Sequence, residues 1–333
     1  MTHVHGISRH SRLHHYLKSR GFRRSARFSR HPDLSVMRLG GSHNVYLVYD
    51  GRSHRKCILK SFGDGDHGSV RHMEKEYKRL RQAGRLIGRR GWLHIARPLC
   101  KSNDGDFFVE EFVSGKPLGN YMRDAMEHGK NKELYDKLTM LAGFLALLHK
   151  KTARSSRVHA SNIRDELKKH ARQASYGGAF THEELKSMER LADKATSYGI
   201  IRRARRGLVH GDANPSNFLY HKGRLNVIDM ERSGYRDPVY DLGMMAGELF
   251  HYAMKYGGDP YKADPFIGHM YWIYAGNYKD QLGTFIRLTK RNPLYMANSL
   301  LRIARHPFFS MKYKRRLARH ARYCLESLKK YGQ

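Results

Sequence analysis

The sequence predicts a bilobal α+β fold, a small antiparallel-sheet lobe followed by a larger, mostly helical one, and three observations predict it. Short β-prone runs crowd residues 34–114. Apolar residues at helical spacing take over from Leu134. One compact strand–loop–strand unit, Leu208 to Asp229, interrupts the helices. Strands first and helices afterwards is the order of an α+β chain. At 333 residues, 40% of them hydrophobic, the chain can bury enough core for two lobes. We expect a basic arm or helix over 1–33, a sheet lobe over 34–114 and a helical lobe over 115–333.

In chain order, Ser35–Leu39 and Val45–Tyr49 read as strands separated by Gly40-Gly41-Ser42-His43-Asn44. Asp50-Gly51 signals a hairpin, and Lys56–Phe62 is the third strand. Val70, Met73, Tyr77 and Leu80 recur at helical spacing in a charged stretch, which predicts a helix over 68–83. Phe107–Val113 is another strand, broken by Gly115-Lys116-Pro117. Leu138, Leu141, Ala142, Leu145 and Leu148 share one face of a helix over Leu134–His149. Residues 160–206 read as two or three polar helices, and the chain beyond Asp229 as almost wholly helical.

Charge narrows the partners. Lys and Arg number 63 against 30 Asp and Glu, a formal net charge of +33 with 22 His neutral. Such a field favours polyanions (nucleic acid, anionic lipid headgroups, phosphorylated metabolites) and disfavours cationic ligands. Cys57, Cys100 and Cys324 are isolated and odd in number, which argues against a zinc site or disulfide framework and fits a reducing interior. No run approaches the roughly 18 apolar residues of a membrane helix, and the N-terminus lacks the apolar core of a secretory signal. The first 30 residues hold no acid and suit a transit peptide or a basic arm equally; cytoplasm is the default. The sequence carries no signal for oligomeric state.

The informative segment is Val209-His210-Gly211-Asp212-Ala213-Asn214-Pro215-Ser216-Asn217, followed by Asn226-Val227-Ile228-Asp229. Phosphoryl transfer needs a carboxylate to orient the acceptor hydroxyl and oxygen ligands for magnesium ions that bridge the phosphates. Asp212, on a loop after a strand, suits the first task. Asn217 and the strand-ending Asp229 suit the second, because magnesium takes few protein ligands and completes its shell with water and phosphate. Alone, His-Gly-Asp reads equally well as an Asx-rich turn. The full spacing, with a second carboxylate closing the next strand, is much more specific.

Leu208–Asn217, Val227–Glu231 and Asp237-Pro238-Val239-Tyr240-Asp241-Leu242 resemble the aminoglycoside phosphotransferase and choline kinase family, whose fold is protein-kinase-like. Protein kinases carry His-Arg-Asp-x4-Asn where this chain has His-Gly-Asp-x4-Asn. The resemblance implies Asp212 as catalytic base, Asn217 and Asp229 as magnesium ligands, His210 as a brace of the loop and Asp241 as its buried support. Upstream, Gly40, Gly41, Ser42 and Asn44 resemble the family's turn over the nucleotide phosphates. Lys60, in the apolar run Cys57-Ile58-Leu59-Lys60, resembles the lysine that contacts the α- and β-phosphates and pairs with a helix glutamate. Glu76 fits that partner and Glu74 is the rival. Phe107–Gly115 resembles the hinge where adenine meets backbone near Glu111 to Val113. ATP or GTP with Mg2+ follows as cofactor. The likeness runs from about residue 35 to about residue 275, and it requires Lys60 and Asp229 to share a crevice.

Two departures count against an ordinary protein kinase: Met230-Glu231 stands where Phe-Gly would follow the metal aspartate, and Ala-Pro-Glu is missing. The acceptor follows from charge. Residues 287–333 hold thirteen Lys or Arg and one acid, Glu326, with Lys312, Lys314, Arg315, Arg316, Arg319 and Arg322 along one helix. A polycationic antibiotic is thereby disfavoured, and an anionic acceptor expected: a small molecule, RNA or a lipid headgroup. A pseudokinase-like nucleic-acid-binding module is the non-enzymatic alternative, disfavoured because Lys60, Asp212, Asn217 and Asp229 are all present.

Overall fold

The β-prone runs at the start of the chain pair into a six-stranded antiparallel sheet. Its strands are β1 (Val4–Gly6), β2 (Leu34–Leu39), β3 (Asn44–Asp50), β4 (Arg55–Ser61), β6 (Pro98–Lys101) and β7 (Phe107–Glu111), in the order β1-β2-β3-β4-β7-β6. The structure, a computed structural model, describes residues 4–6, 34–39, 44–51, 54–62, 67–88, 90–102 and 107–331. Two compact units emerge: Met1–Ser114 with Asn226–Glu231, and Gly115–Leu225 with Arg232–Gln333.

In the first unit, Val48, Cys57, Leu59, Cys100, Phe107 and Val109 form the core on the sheet, with Val36 and Tyr46 packed against it. β-branched and aromatic residues dominate this set because they fit a pleated, buried surface. Against β5 (Leu93–Ile95), β6 and β7 packs α1 (His67–Ile87). Met73, Glu76, Leu80, Ala83 and Ile87 are its buried positions, three or four apart. The stripe continues through Ala83 and Ile87, so the helix outruns the 68–83 expected. The strand expected at Phe107–Val113 ends at Glu111 instead. β1 lies in the segment read as a basic arm or helix; the rest of that arm, and Gly40, Gly41 and Ser42, fall outside the described residues.

The second unit is helical: α2 (Leu118–His128), α3 (Asn131–Lys151), α4 (Ala160–Tyr176), α5 (His182–Ser197), α6 (Gly199–Arg202), α7 (Val239–Tyr256), α8 (Asp264–Ala275), α9 (Gln281–Ala304) and α10 (Met311–Ser327). Leu138, Leu141, Ala142, Leu145 and Leu148 of α3 are all fully buried, as their spacing predicts. α7 is buried on nearly every side, and a helix apolar all round belongs in the middle of a bundle. α9 packs against both α7 and α10. Two short ribbons complete the unit. β9 (Gly207–Val209) pairs antiparallel with β12 (Gly234–Arg236), and β8 (Lys116–Pro117) with β10 (Phe218–His221). No helix among the described residues is long and apolar enough to cross a membrane.

Candidate active site

In the first unit, β4 carries Lys60 opposite Phe108 of β7 and Val45 of β3. Its ammonium donates to Glu76 Oε1 at 2.7 Å and to Asp229 Oδ1 at 3.2 Å. Lys60 and Asp229 therefore meet, as the sequence reading requires. Glu76 is the helix partner; Glu74 faces elsewhere and takes Lys101 at 2.7 Å and Lys78 at 3.2 Å. Two residues along a helix turn a side chain by about 200°, so only one of the pair can share the stripe of Met73 and Leu80. Asp229 stands one residue past β11 (Arg224–Val227), after Ile228, with φ +61°, the left-handed region that non-glycine residues seldom occupy. Oxygens of Glu76, Asp229 and Glu231 lie within 4.8 Å of one another, and Glu76 Oε2 is buried without a hydrogen-bond partner. An all-oxygen set with one unsatisfied carboxylate atom fits a hard divalent cation.

Glu110 adds a buried carboxylate 3.9 Å from the Lys60 ammonium. Burial pushes it up to about 7, with Lys60 pulling the other way. From the ordinary 4.5 up to about 7 the unfolded chain releases this proton while the native fold keeps it. Stability accordingly falls as pH rises through that window. Glu110→Gln is expected to remove a slope worth up to ~3 kcal/mol. Thermal midpoints measured from pH 4.5 to 8 check this, and identical slopes in both proteins would refute it.

Glu111, expected near the adenine, uses its side chain on His94 at 2.9 Å and Arg97 at 3.0 Å. Its backbone N–H donates to the Arg97 carbonyl at 2.8 Å, so that donor is already engaged. Val113 lies beyond the end of β7 and is half-buried, and Asn44 is the first residue of β3.

In the second unit, the His-Gly-Asp loop leaves β9 and is held from below by α7. Asp241, in the first turn of α7, accepts the backbone N–H of His210 at 2.6 Å and of Gly211 at 3.0 Å. His149 stands 3.2 Å from the same carboxylate through Nε2, and 2.9 Å from the Tyr274 hydroxyl through Nδ1. Burial alone would raise Asp241, but the His149 hydrogen bond and charge, reinforced by the Gly211 N–H, hold it below its ordinary value. Gly211 has φ +82°, and a Cβ there would sit 2.1 Å from the Arg232 carbonyl oxygen. Only glycine fits. His210 Nδ1 in turn accepts the N–H of Asp212 at 3.3 Å. Asn214 caps the turn Pro215–Asn217 by accepting the Ser216 N–H at 3.0 Å, and Asn217 Nδ2 donates to the Asp212 carbonyl at 3.0 Å.

Residues that sequence reasoning missed complete this cluster. Arg302 of α9 donates through Nη1 to Asp212 Oδ1 and through Nη2 to Glu248 Oε1 at 3.1 Å. Its side chain is 9% exposed, so both ion pairs are shielded from water. Arg232 approaches Asp212 Oδ2 at 3.8 Å from a half-exposed position. Burial would raise Asp212, yet Arg302, with Arg232 and His210, holds it below the usual carboxylate range. Glu248 goes the other way, raised by burial that Arg302 offsets only in part. Arg305 belongs to the same neighbourhood: burial depresses it first, then repulsion from Arg302 and Arg232. Asp212 is thus an ionised carboxylate in a cationic surround.

The phosphotransferase enzyme family (APH) profile matches residues 34–264. No curated protein sequence matches the chain. Among solved structures, choline kinase from Cryptosporidium parvum Iowa II superposes with a TM-score of 0.62 at 14% identity, covering 90% of this chain and 91% of that one. Plasmodium vivax ethanolamine kinase gives 0.54 at 14% identity, covering 89% and 82%. The amicoumacin kinase hAmiN, in complex with AMP-PNP, Ca2+ and Ami, gives 0.56 at 16% identity, covering 88% of each chain. At such identities the likeness is one of fold.

Proposed function

Because the chain belongs to the phosphotransferase enzyme family and is a kinase of hydroxyl groups, we propose that it moves the γ-phosphate of ATP or GTP onto a hydroxyl of a small anionic acceptor, with Asp212 as base and Mg2+ held by Asn217 and Asp229. Lys60, fixed by Glu76 and Asp229, supplies a permanent positive charge for the nucleotide phosphates. Burial favours its neutral form, but Glu110, Asp229 and Glu76 together hold it protonated. Asp212 orients the acceptor hydroxyl and takes its proton as the oxygen–phosphorus bond forms. The bond from the γ-phosphorus to the bridging oxygen breaks, and its electrons stay on the nucleoside diphosphate. Magnesium, when bound, neutralises and orients the phosphate oxygens. Positioning outweighs basicity in so loose a transition state, which makes a depressed carboxylate adequate.

The observation that carries the acceptor assignment is the charge around Asp212. Arg302, Arg232 and Arg305 gather there against Asp212 and Glu248. A cationic acceptor would meet repulsion on entering, and an acceptor bearing a phosphate or carboxylate would be drawn in. One observation favours a second reading, in which the acceptor is RNA or an anionic glycolipid: the outward face of α10 sets exposed Lys312, Arg316 and Arg319 beside exposed Met311 and Tyr323. Incubation with γ-labelled ATP and separate pools of phosphorylated sugars, hydroxy acids, choline, aminoglycosides, RNA and glycolipid separates these. Label is expected in an anionic small molecule. Label entering choline or an aminoglycoside would overturn the acceptor assignment while leaving the transferase chemistry intact.

A further inference from the structure

Away from the Asp212 loop, the second unit contains a cleft of about 940 Å³ whose walls come from the segment around α6, the end of α8, the first half of α9 and the final turn of the chain. Six of its lining residues are cationic: Arg203, Arg205, Arg287, Lys290, Arg291 and Lys330; none is acidic. Two of these cations are neutralised from outside the lining. Arg287 pairs with Asp280 at 3.1 Å, and Arg291 with the buried Asp237 at 2.9 Å, which also accepts from Tyr295. Arg203, Arg205, Lys290 and Lys330 have no acidic side chain within 4 Å among the described residues. Four like charges around one concavity repel one another and are held there by the fold. A basic outer surface could disperse them; this one concentrates them.

The remaining lining is aromatic and apolar. Tyr274 and Tyr278 share a hydrogen bond of 2.8 Å between their hydroxyls, the Lys290 ammonium stands 5.9 Å over the Tyr331 ring, and Leu288 and Pro238 close the wall. Just behind, Lys150 stands 5.6 Å over the Tyr278 ring and adds a fifth positive charge to the surroundings. The volume lies in the range of small-molecule pockets, roughly 300–1,000 Å³, and a concave, walled site suits a compact ligand better than a strand of nucleic acid.

We propose that this cleft is a binding site for a small molecule carrying two or more linked phosphate groups, separate from the Asp212 loop. About four negative charges would balance the four unmatched cations. The site's back wall is also the start of a hydrogen-bonded series, from Tyr278 to Tyr274, His149 and Asp241, that ends at the backbone of His210 and Gly211. A ligand in the cleft therefore touches the far end of the support under the loop.

Sodium tripolyphosphate is the probe. Titration calorimetry on the full chain, with the nucleotide site saturated by AMP-PNP and Mg2+, is expected to show one further saturable site that weakens as salt is added. Arg203→Ser/Lys290→Ser/Lys330→Ser is expected to lower affinity by about 10²–10³-fold, at roughly tenfold per lost charge-assisted contact. Lys169→Ser/Arg190→Ser/Lys194→Ser removes the same charge from exposed positions of α4 and α5 and is expected to bind within about threefold of wild type. Equal weakening in the two triple variants would reduce the effect to net charge and overturn the proposal. Unchanged affinity in the first variant would place the polyphosphate elsewhere and overturn it too. Lysine acetylation of the wild-type chain gives a test without substitutions: tripolyphosphate should shield Lys290 and Lys330 and leave Lys169 reactive. Tighter binding of a short RNA than of tripolyphosphate, through the same residues, would replace the small-molecule ligand with a nucleic acid and refute the assignment.

Discussion

Asp212→Ala is expected to lower kcat for phosphoryl transfer by about 10²–10⁴-fold while nucleotide affinity changes little. The separation follows from where the groups sit. The Lys60, Glu76 and Asp229 cluster assigned to the nucleotide belongs to the first compact unit, and Asp212 belongs to the second. Removing the Asp212 carboxylate takes away the group proposed to orient the substrate hydroxyl and leaves the lysine cluster as it was. Nucleotide affinity from calorimetry, read alongside steady-state kcat, checks both halves. A kcat within tenfold of wild type would end the role assigned to Asp212. A large loss of nucleotide affinity would show that the carboxylate acts in binding.

The second large effect is on stability. Arg302→Met is expected to cost about 3–5 kcal/mol, because it strands two carboxylates in a buried site with their shared cation gone. Asp212 is held low by Arg302 and Glu248 is already raised by burial, so the variant must either keep uncompensated charge or take up protons. The sign of the pH dependence follows. A depressed carboxylate contributes stability above its unfolded value, near 3.9, and loses that contribution as pH falls through its native value. The gap between wild type and Arg302→Met should therefore be widest near neutral pH and narrow below about pH 4. Thermal melts across that range test it, with Arg302→Met/Glu248→Gln expected to recover part of the loss. A gap that does not change with pH would show that packing, and not charge, explains the cost.

How much of this was legible in the chain depends on how locally each feature is encoded. The His-Gly-Asp-x4-Asn loop could be read because the bonds from the Asp212 N–H to His210 and from Asn217 to the Asp212 carbonyl are made within eight residues of sequence, whereas Asp241 and Arg302 reach it from afar. Lys60 stood out as one charge in an apolar strand. Its partner was harder: Glu74 and Glu76 are chemically identical, and only the stripe Met73, Leu80, Ala83 and Ile87 marks which of them turns inward. Arg302 was hidden in a tail so rich in Lys and Arg that another arginine reads as surface. Its counterpart was less hidden, since Glu248 is the one acid in the apolar run Met244–Phe250, and a lone acid there calls for a buried cation. The two- to four-residue strands β5, β6, β8 and β12 are too short for alternation to register. Lys314 also reversed expectation. It belongs to the basic face of α10 by sequence, yet it is buried and donates to the Gly177 carbonyl at 3.2 Å.

Asp241 has a mechanical consequence. It grips the His210–Gly211 segment by main-chain amides and is itself rooted in the most deeply enclosed helix of its unit. The segment therefore has no independent melting of its own: it stays seated as long as α7 stays folded and is released when α7 gives way. Release of the loop and collapse of the helical bundle become a single event, and local softening at the periphery of the unit leaves the Asp212 carboxylate where it was.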